Sequence, residues 1–264
     1  MDPLTDFSRD VYTHDSKTRD VYRIGEGPAV IVMTEIPGIT PKVAEFARRV
    51  TGIGCTAVLP DLYGTPGRDP TIPYAITSLV PTCISREFRA FSTRSTAPVT
   101  RWLRALARNE KERCGGPGVG AVGMCMAGGF ALAMMVDDEM IAPVLSQPSL
   151  PISLPGIRAA KSDVHLCDAD LVRVKERAEG GVCVLGLRFT GDRLVPPERF
   201  ERLRSELGDR FIGVEIDSSP GNPWGHRALA HSVLTEDLID EVGQPTRDAL
   251  DQVLAFLRER LVDT

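Results

Sequence analysis

Excess positive charge is missing from this 264-residue chain, which carries 31 Lys and Arg against 36 Asp and Glu. With both signs mixed along its length, it offers neither a basic stripe for nucleic acid nor a polybasic anchor for a membrane. No stretch approaches the roughly 20 apolar residues of a membrane-spanning helix. The N-terminal MDPLTDFSRDVYTHD has neither the basic start nor the apolar centre of a secretory signal, so a cytoplasmic location is expected. The six cysteines, Cys55, Cys83, Cys114, Cys125, Cys167 and Cys183, form no CxxC pair. Neither a zinc site nor a disulfide framework is therefore written into their spacing, and no metal or other cofactor is expected. Internal repeats and domain-splitting linkers are absent too, so residues 1–264 are expected to form one domain.

What the chain does contain is an alternation of β-branched runs and helical patterns. PAVIVMTE (Pro28 to Glu35) and CTAVLPD (Cys55 to Asp61) read as strands, with the helical segment PKVAEFARRV between them. A helix around Val99 to Lys111, the strand GVGAVGM, a helix from about Met126 to Val136 and the strand IAPVLS follow. GVCVLGLRF (Gly181 to Phe189) and RFIGVEID (Arg210 to Asp217) complete the strands. Strand, helix, strand in this order predicts an α/β fold with a mostly parallel central sheet and helices on both faces. The last helix, TRDALDQVLAFLRERL, carries Ala249, Leu250, Val253, Leu254, Phe256, Leu257 and Leu261 on one broad apolar face. Stretches near Tyr63 to Thr96, Gln147 to Arg177 and Ser218 to Ser232 are expected to be loops, gathered at the carboxyl ends of the strands where ligands bind in open α/β sheets.

GMCMAGGF, Gly123 to Phe130, stands where a strand becomes a helix. A sharp turn there forces its central residue, Cys125, into a strained backbone conformation that small neighbours must accommodate. The side chain is expected to stand exposed above the sheet, with the helix start favouring its thiolate. Used as a nucleophile, Cys125 needs an acid and then a histidine from later loops. Asp192, in the turn between GLRF and PPERF, is placed to be the acid. Of only four histidines, His14 and His165 precede that acid, and His226 and His231 follow the last strand. His231, in ALAHSVLT, is the expected base, with His226 the alternative.

These segments together resemble the dienelactone hydrolase family of the α/β-hydrolases. GMCMAGG is similar to its cysteine elbow, TEIPGI to its glutamate segment, AVLPDLYG to its second strand and GDRLVPPERF to its acid loop. The likeness runs from about Ala29 onward. It implies an α/β-hydrolase fold, a Cys125–Asp192–His231 triad, Glu35 as a resting-state partner of the thiol, and an oxyanion hole formed by the backbone N–H groups of Ile36 and Met126. The interval from Cys125 to Asp192 is longer than in short members of that family, with the excess between Ser149 and Gly181.

The activity implied is hydrolysis of an ester or lactone through an acyl-enzyme on Cys125. A thioesterase or acyltransferase using the same triad, and a small-ligand-binding protein without turnover, are the alternatives. The expected partner is thus a small-molecule ester or lactone, without nucleic acid or membrane, and a homodimer is left open.

Overall fold

The computed structural model of the chain describes residues 2–152 and 158–264. Its sheet has eight strands: β1 (Ser8–His14), β2 (Lys17–Ile24), β3 (Ala29–Met33), β4 (Thr56–Pro60), β5 (Val119–Met124), β6 (Met140–Ser146), β7 (Val184–Phe189) and β8 (Phe211–Ile216). Their spatial order is β1-β2-β4-β3-β5-β6-β7-β8. The pairs β1–β2 and β2–β4 are antiparallel and all others parallel.

Side chains alternate across the sheet and divide the core in two. Val30 and Val32, with Val122 and Met124, face α1 (Pro41–Thr51) and α8 (Pro245–Leu261). Ile31 and Met33, with Val119 and Ala121, face α3 (Pro98–Cys114), α4 (Gly128–Met134), α6 (Asp168–Glu179) and α7 (Pro197–Leu207). This is the expected sheet with helices on both faces. In α8, Leu250, Val253, Phe256, Leu257 and Leu261 are buried as their spacing predicts. Each such side chain contributes about 1.5–3 kcal/mol, so packing rather than intrinsic propensity holds this helix to the sheet. Among the described residues, no helix is long and apolar enough to cross a membrane.

The N-terminal hairpin and three helices differ from expectation. The β1–β2 hairpin was not foreseen, because its turn residues, Asp15 (φ 48°) and Ser16 (φ 59°), adopt left-handed backbone without the glycine that usually marks such turns. Helix α2 (Ile72–Ile84) lies inside the expected loop Tyr63 to Thr96. It has no charged residue to mark a polar face and it contains Pro81, so no helical period is visible in IPYAITSLVPTCI. Helices α5 (Arg158–Ser162) and α6 likewise occupy the expected loop Gln147 to Arg177. α6 buries only Val174 and Ala178, too narrow a stripe to stand out. Residues 153–157 of that stretch lie outside the described residues.

Candidate active site

Strand register brings the candidate residues to one edge of the sheet. Met33 of β3 pairs with Gly123 of β5, so Glu35 and Cys125 each leave the sheet two residues later, side by side in the order of strands. Met124 pairs with Ser146 of β6, which brings Gln147 to the same level on the other side of β5. Asp192 follows β7, and both candidate histidines follow β8.

Cys125 opens a 3-10 turn (Cys125–Ala127) between β5 and α4, at φ 54°. A left-handed backbone at a residue with a side chain costs about 1–3 kcal/mol and persists only where its surroundings enforce it. They do so here through two glycines. A Cβ on Gly123 would lie 2.2 Å from the carbonyl oxygen of Ala127, and one on Gly128 would lie 2.6 Å from Cα of Pro148. Gly129 is under no such constraint, since its Cβ would meet nothing nearer than 3.6 Å.

Two expectations about the thiol need correction. Cys125 is only 9% exposed, because the chain after β6 closes over the sulfur and sets Ser149 Oγ 3.4 Å from it. In addition, α4 has just seven residues and starts at Gly128, beyond the turn, so its macrodipole is a weak source of thiolate stabilisation.

His231 and Asp192 are joined. Nδ1 of His231 lies 2.6 Å from Oδ2 of Asp192, while Oδ1 accepts the Leu194 N–H at 2.9 Å. Burial disfavours a charged imidazole at His231, but its interactions with Cys125 and Asp192 outweigh it and hold the pKa well above the usual histidine value. Nε2 of His231 is buried and has no conventional hydrogen-bond partner among the described residues. His226 is elsewhere: its ring packs edge-on against Phe189 at 5.1 Å, and burial holds its pKa down.

Glu35 is buried and accepts three hydrogen bonds: from Ser232 Oγ at 2.5 Å, from Gln147 Nε2 at 3.2 Å and from Thr235 Oγ1. No hydrogen bond joins it to Cys125 among the described residues. The hydroxyls beside His231 and the amide after β6 occupy its oxygens instead. Burial raises its pKa, opposed by the bonds from Ser232 and Thr235. The folded protein therefore binds this proton more tightly than the unfolded chain, and stability falls as pH rises from the ordinary carboxylate range through the folded pKa.

That network predicts opposite outcomes for two substitutions. Glu35→Gln can keep one oxygen for Ser232 and Gln147 and turn its NH2 toward Thr235, whose hydroxyl then accepts. It should fold normally and gain stability on the parent as pH rises. Glu35→Ala strands three buried donors and should lose about 2–4 kcal/mol. Urea denaturation at pH 5 and pH 8 checks both, and a pH-independent difference between parent and Glu35→Gln would contradict the buried-carboxylate account.

Met126 is the second residue of the 3-10 turn, where an N–H lacks an intrahelical acceptor. Ile36 lies beyond the end of β3, half-buried, and its N–H has no acceptor among the described residues.

Residues 17–261 match the sequence profile of the Dienelactone hydrolase family. The chain belongs to that family. No curated protein matches the chain. Among solved structures, a putative dienelactone hydrolase from Klebsiella pneumoniae has a TM-score of 0.61 at 18% identity, covering 95% of this chain and 97% of that one. A dienelactone hydrolase-like promiscuous phosphotriesterase from metagenomic libraries has a TM-score of 0.56 at 16% identity, with 97% and 98% covered. A cold-adapted esterase from an Arctic intertidal metagenomic library gives 0.56 at 16% identity, with 96% and 92% covered. These similarities show that the protein has the α/β-hydrolase fold.

Further residues of this dienelactone hydrolase family member lie near the candidate site. Asp237 accepts the backbone N–H groups of His231 (2.8 Å) and Ser232 (3.1 Å) and so fixes the histidine loop. Tyr63, from the PDLYG run, is buried and donates its hydroxyl to Thr34 O. Cys83, at the end of α2, has its thiol pushed up by burial and by the charge of Cys125. It lines a cavity of about 320 Å³ together with Ile84, Arg86, Arg89, Ala90 and Phe91. Asp237 could not be found without knowing which loops meet.

Proposed function

We propose that this protein hydrolyses a small ester or lactone by nucleophilic acyl transfer through Cys125. The observation that carries this reading is the conjunction of a left-handed cysteine at a strand-to-helix turn with an imidazole that is bound to a carboxylate and electrostatically coupled to that cysteine.

Cys125 Sγ attacks the substrate carbonyl carbon, and the carbonyl electrons pass to oxygen. The Met126 and Ile36 N–H groups receive that oxyanion, a donor of this kind being worth about 3 kcal/mol. Nε2 of His231 passes its proton to the departing alkoxide, leaving an acyl-thioester on Cys125. A water then gives a proton to Nε2 and attacks the thioester, and the carboxylic acid leaves as the sulfur is regenerated. Asp192 keeps the proton-bearing Nδ1 of His231 fixed throughout. Glu35 anchors the histidine loop through Ser232 and Thr235.

Initial rates on a panel of aryl esters, lactones and thioesters, with aryl phosphotriesters alongside, test the reading. Turnover of esters or lactones is expected. Turnover of none would return the protein to ligand binding without catalysis, and turnover of phosphotriesters alone would change the reaction class.

A further inference from the structure

The long interval between Cys125 and Asp192 begins with a segment that the triad does not explain. After β6 the chain runs through Gln147, Pro148 and Ser149, all buried, and is tied down at every step. Gln147 N–H donates to Leu187 O at 2.8 Å, and Ser149 N–H donates to Cys125 O at 3.0 Å. Pro148 packs against Gly128 so closely that no side chain could replace that glycine's hydrogen.

Arg199 of α7 holds the segment from behind. Its guanidinium is fully buried and donates to four main-chain carbonyls: Pro148 at 2.6 Å, Pro151 at 2.8 Å, Ala160 at 2.9 Å and Asp163 at 2.8 Å. Burial lowers its pKa to about 10, so it is charged at neutral pH. It makes no ion pair with a carboxylate among the described residues. A buried charge without a direct ion pair is expensive, and here its bonds serve to fix the path of this loop. The atom thereby delivered to the catalytic centre is Ser149 Oγ, 3.4 Å from Cys125 Sγ. The sulfur is the only hydrogen-bond partner of that hydroxyl among the described residues.

We propose that Ser149 is a further catalytic residue: its hydroxyl donates a hydrogen bond to Cys125 Sγ, stabilising and aiming the thiolate, and gives up that bond when the sulfur becomes acylated. No covalent bond to Ser149 forms or breaks. A hydroxyl donor suits this role because a thiolate is a far better acceptor than a thioester sulfur, so the interaction favours the nucleophile without trapping the acyl-enzyme. It also supplies what the seven-residue α4 provides only weakly. The proposal rests on Cys125 being the nucleophile.

The test compares the parent with Ser149→Ala and Ser149→Thr. Alkylation of Cys125 by iodoacetamide is followed across pH by peptide mapping, together with single-turnover acylation by an aryl ester. A hydrogen bond to a charged group corresponds to a shift of about one to two pH units. The Ser149→Ala alkylation profile is expected to move upward by that amount, with acylation at pH 7 slowed about 10-fold or more and recovering at high pH. Ser149→Thr, which keeps the hydroxyl, is expected to retain the parental profile. A Ser149→Ala profile that coincides with the parent's, or moves downward, would overturn the proposal while leaving Cys125 as nucleophile. A parent whose Cys125 is alkylated at no pH and never acylated would overturn both.

Discussion

Cys125→Ala is expected to reduce ester turnover by about 10⁴-fold or more in kcat and to leave the protein unable to form an acyl adduct. Rapid quench with a slowly hydrolysed ester, followed by intact mass and peptide mapping, should place one acyl group on Cys125 of the parent and none on the variant. The other five thiols differ in ways that count against them. Cys55 is buried in the core, where burial pushes its pKa up to about 11. Burial also raises Cys83 and Cys114. Cys167 caps α6, its sulfur accepting the Asp170 N–H at 3.4 Å, and Cys183 precedes β7 on the far side of the sheet's carboxyl edge. Only Cys125 combines a strained elbow with a coupled imidazole. An adduct on any other cysteine, or retained turnover in Cys125→Ala, would remove the elbow from the mechanism.

His231→Ala should be nearly as damaging, again about 10⁴-fold, whereas His226→Ala should change turnover only a few-fold. The geometry decides the ranking, since His231 shares a 2.6 Å contact with Asp192 while His226 packs on Phe189. A further consequence concerns pH. Interaction with Cys125 is one of the causes that raise the His231 pKa, and an acyl group on the sulfur removes that contribution. The imidazole pKa must then fall, which frees Nε2 to accept a proton from water. The acid limb of kcat, when deacylation limits the rate, is therefore expected to lie below the imidazole pKa of the free enzyme seen in kcat/KM. Single-turnover acylation and steady-state rates across pH separate the two. Identical limbs would mean that thiolate and imidazolium are not coupled, and a larger loss in His226→Ala than in His231→Ala would exchange their roles.

How much of this was legible beforehand follows from the range of the forces involved. The parallel strands and α8 are local patterns of apolar side chains, and burial on the sheet enforces the same periods that the sequence displays. The elbow was legible for a similar reason: a sharp turn demands small residues within a few positions of Cys125, and GMCMAGG supplies them in contiguous order. Even there the detail shifted, with Gly123 and Gly128 under steric constraint and Gly129 free of it. Helix α2 was hidden because an uncharged, proline-containing helix has no polar face to set its period. The β1–β2 hairpin was hidden because Asp15 and Ser16 take up backbone conformations usually signalled by glycine.

The chain alone determined the order cysteine, aspartate, histidine and the α/β architecture that places all three after the carboxyl ends of β5, β7 and β8, because both depend on local pattern and on the handed, parallel connection of strands. Tertiary structure alone decided which histidine meets Asp192, what Glu35 touches and what faces the Cys125 sulfur. Those outcomes hang on loops separated by up to 200 positions in sequence, as in the bond from Thr235 to Glu35. A hydrogen bond selects its partner within about 3 Å, and no spacing in a linear sequence carries information at that scale once the intervening chain has folded back on itself.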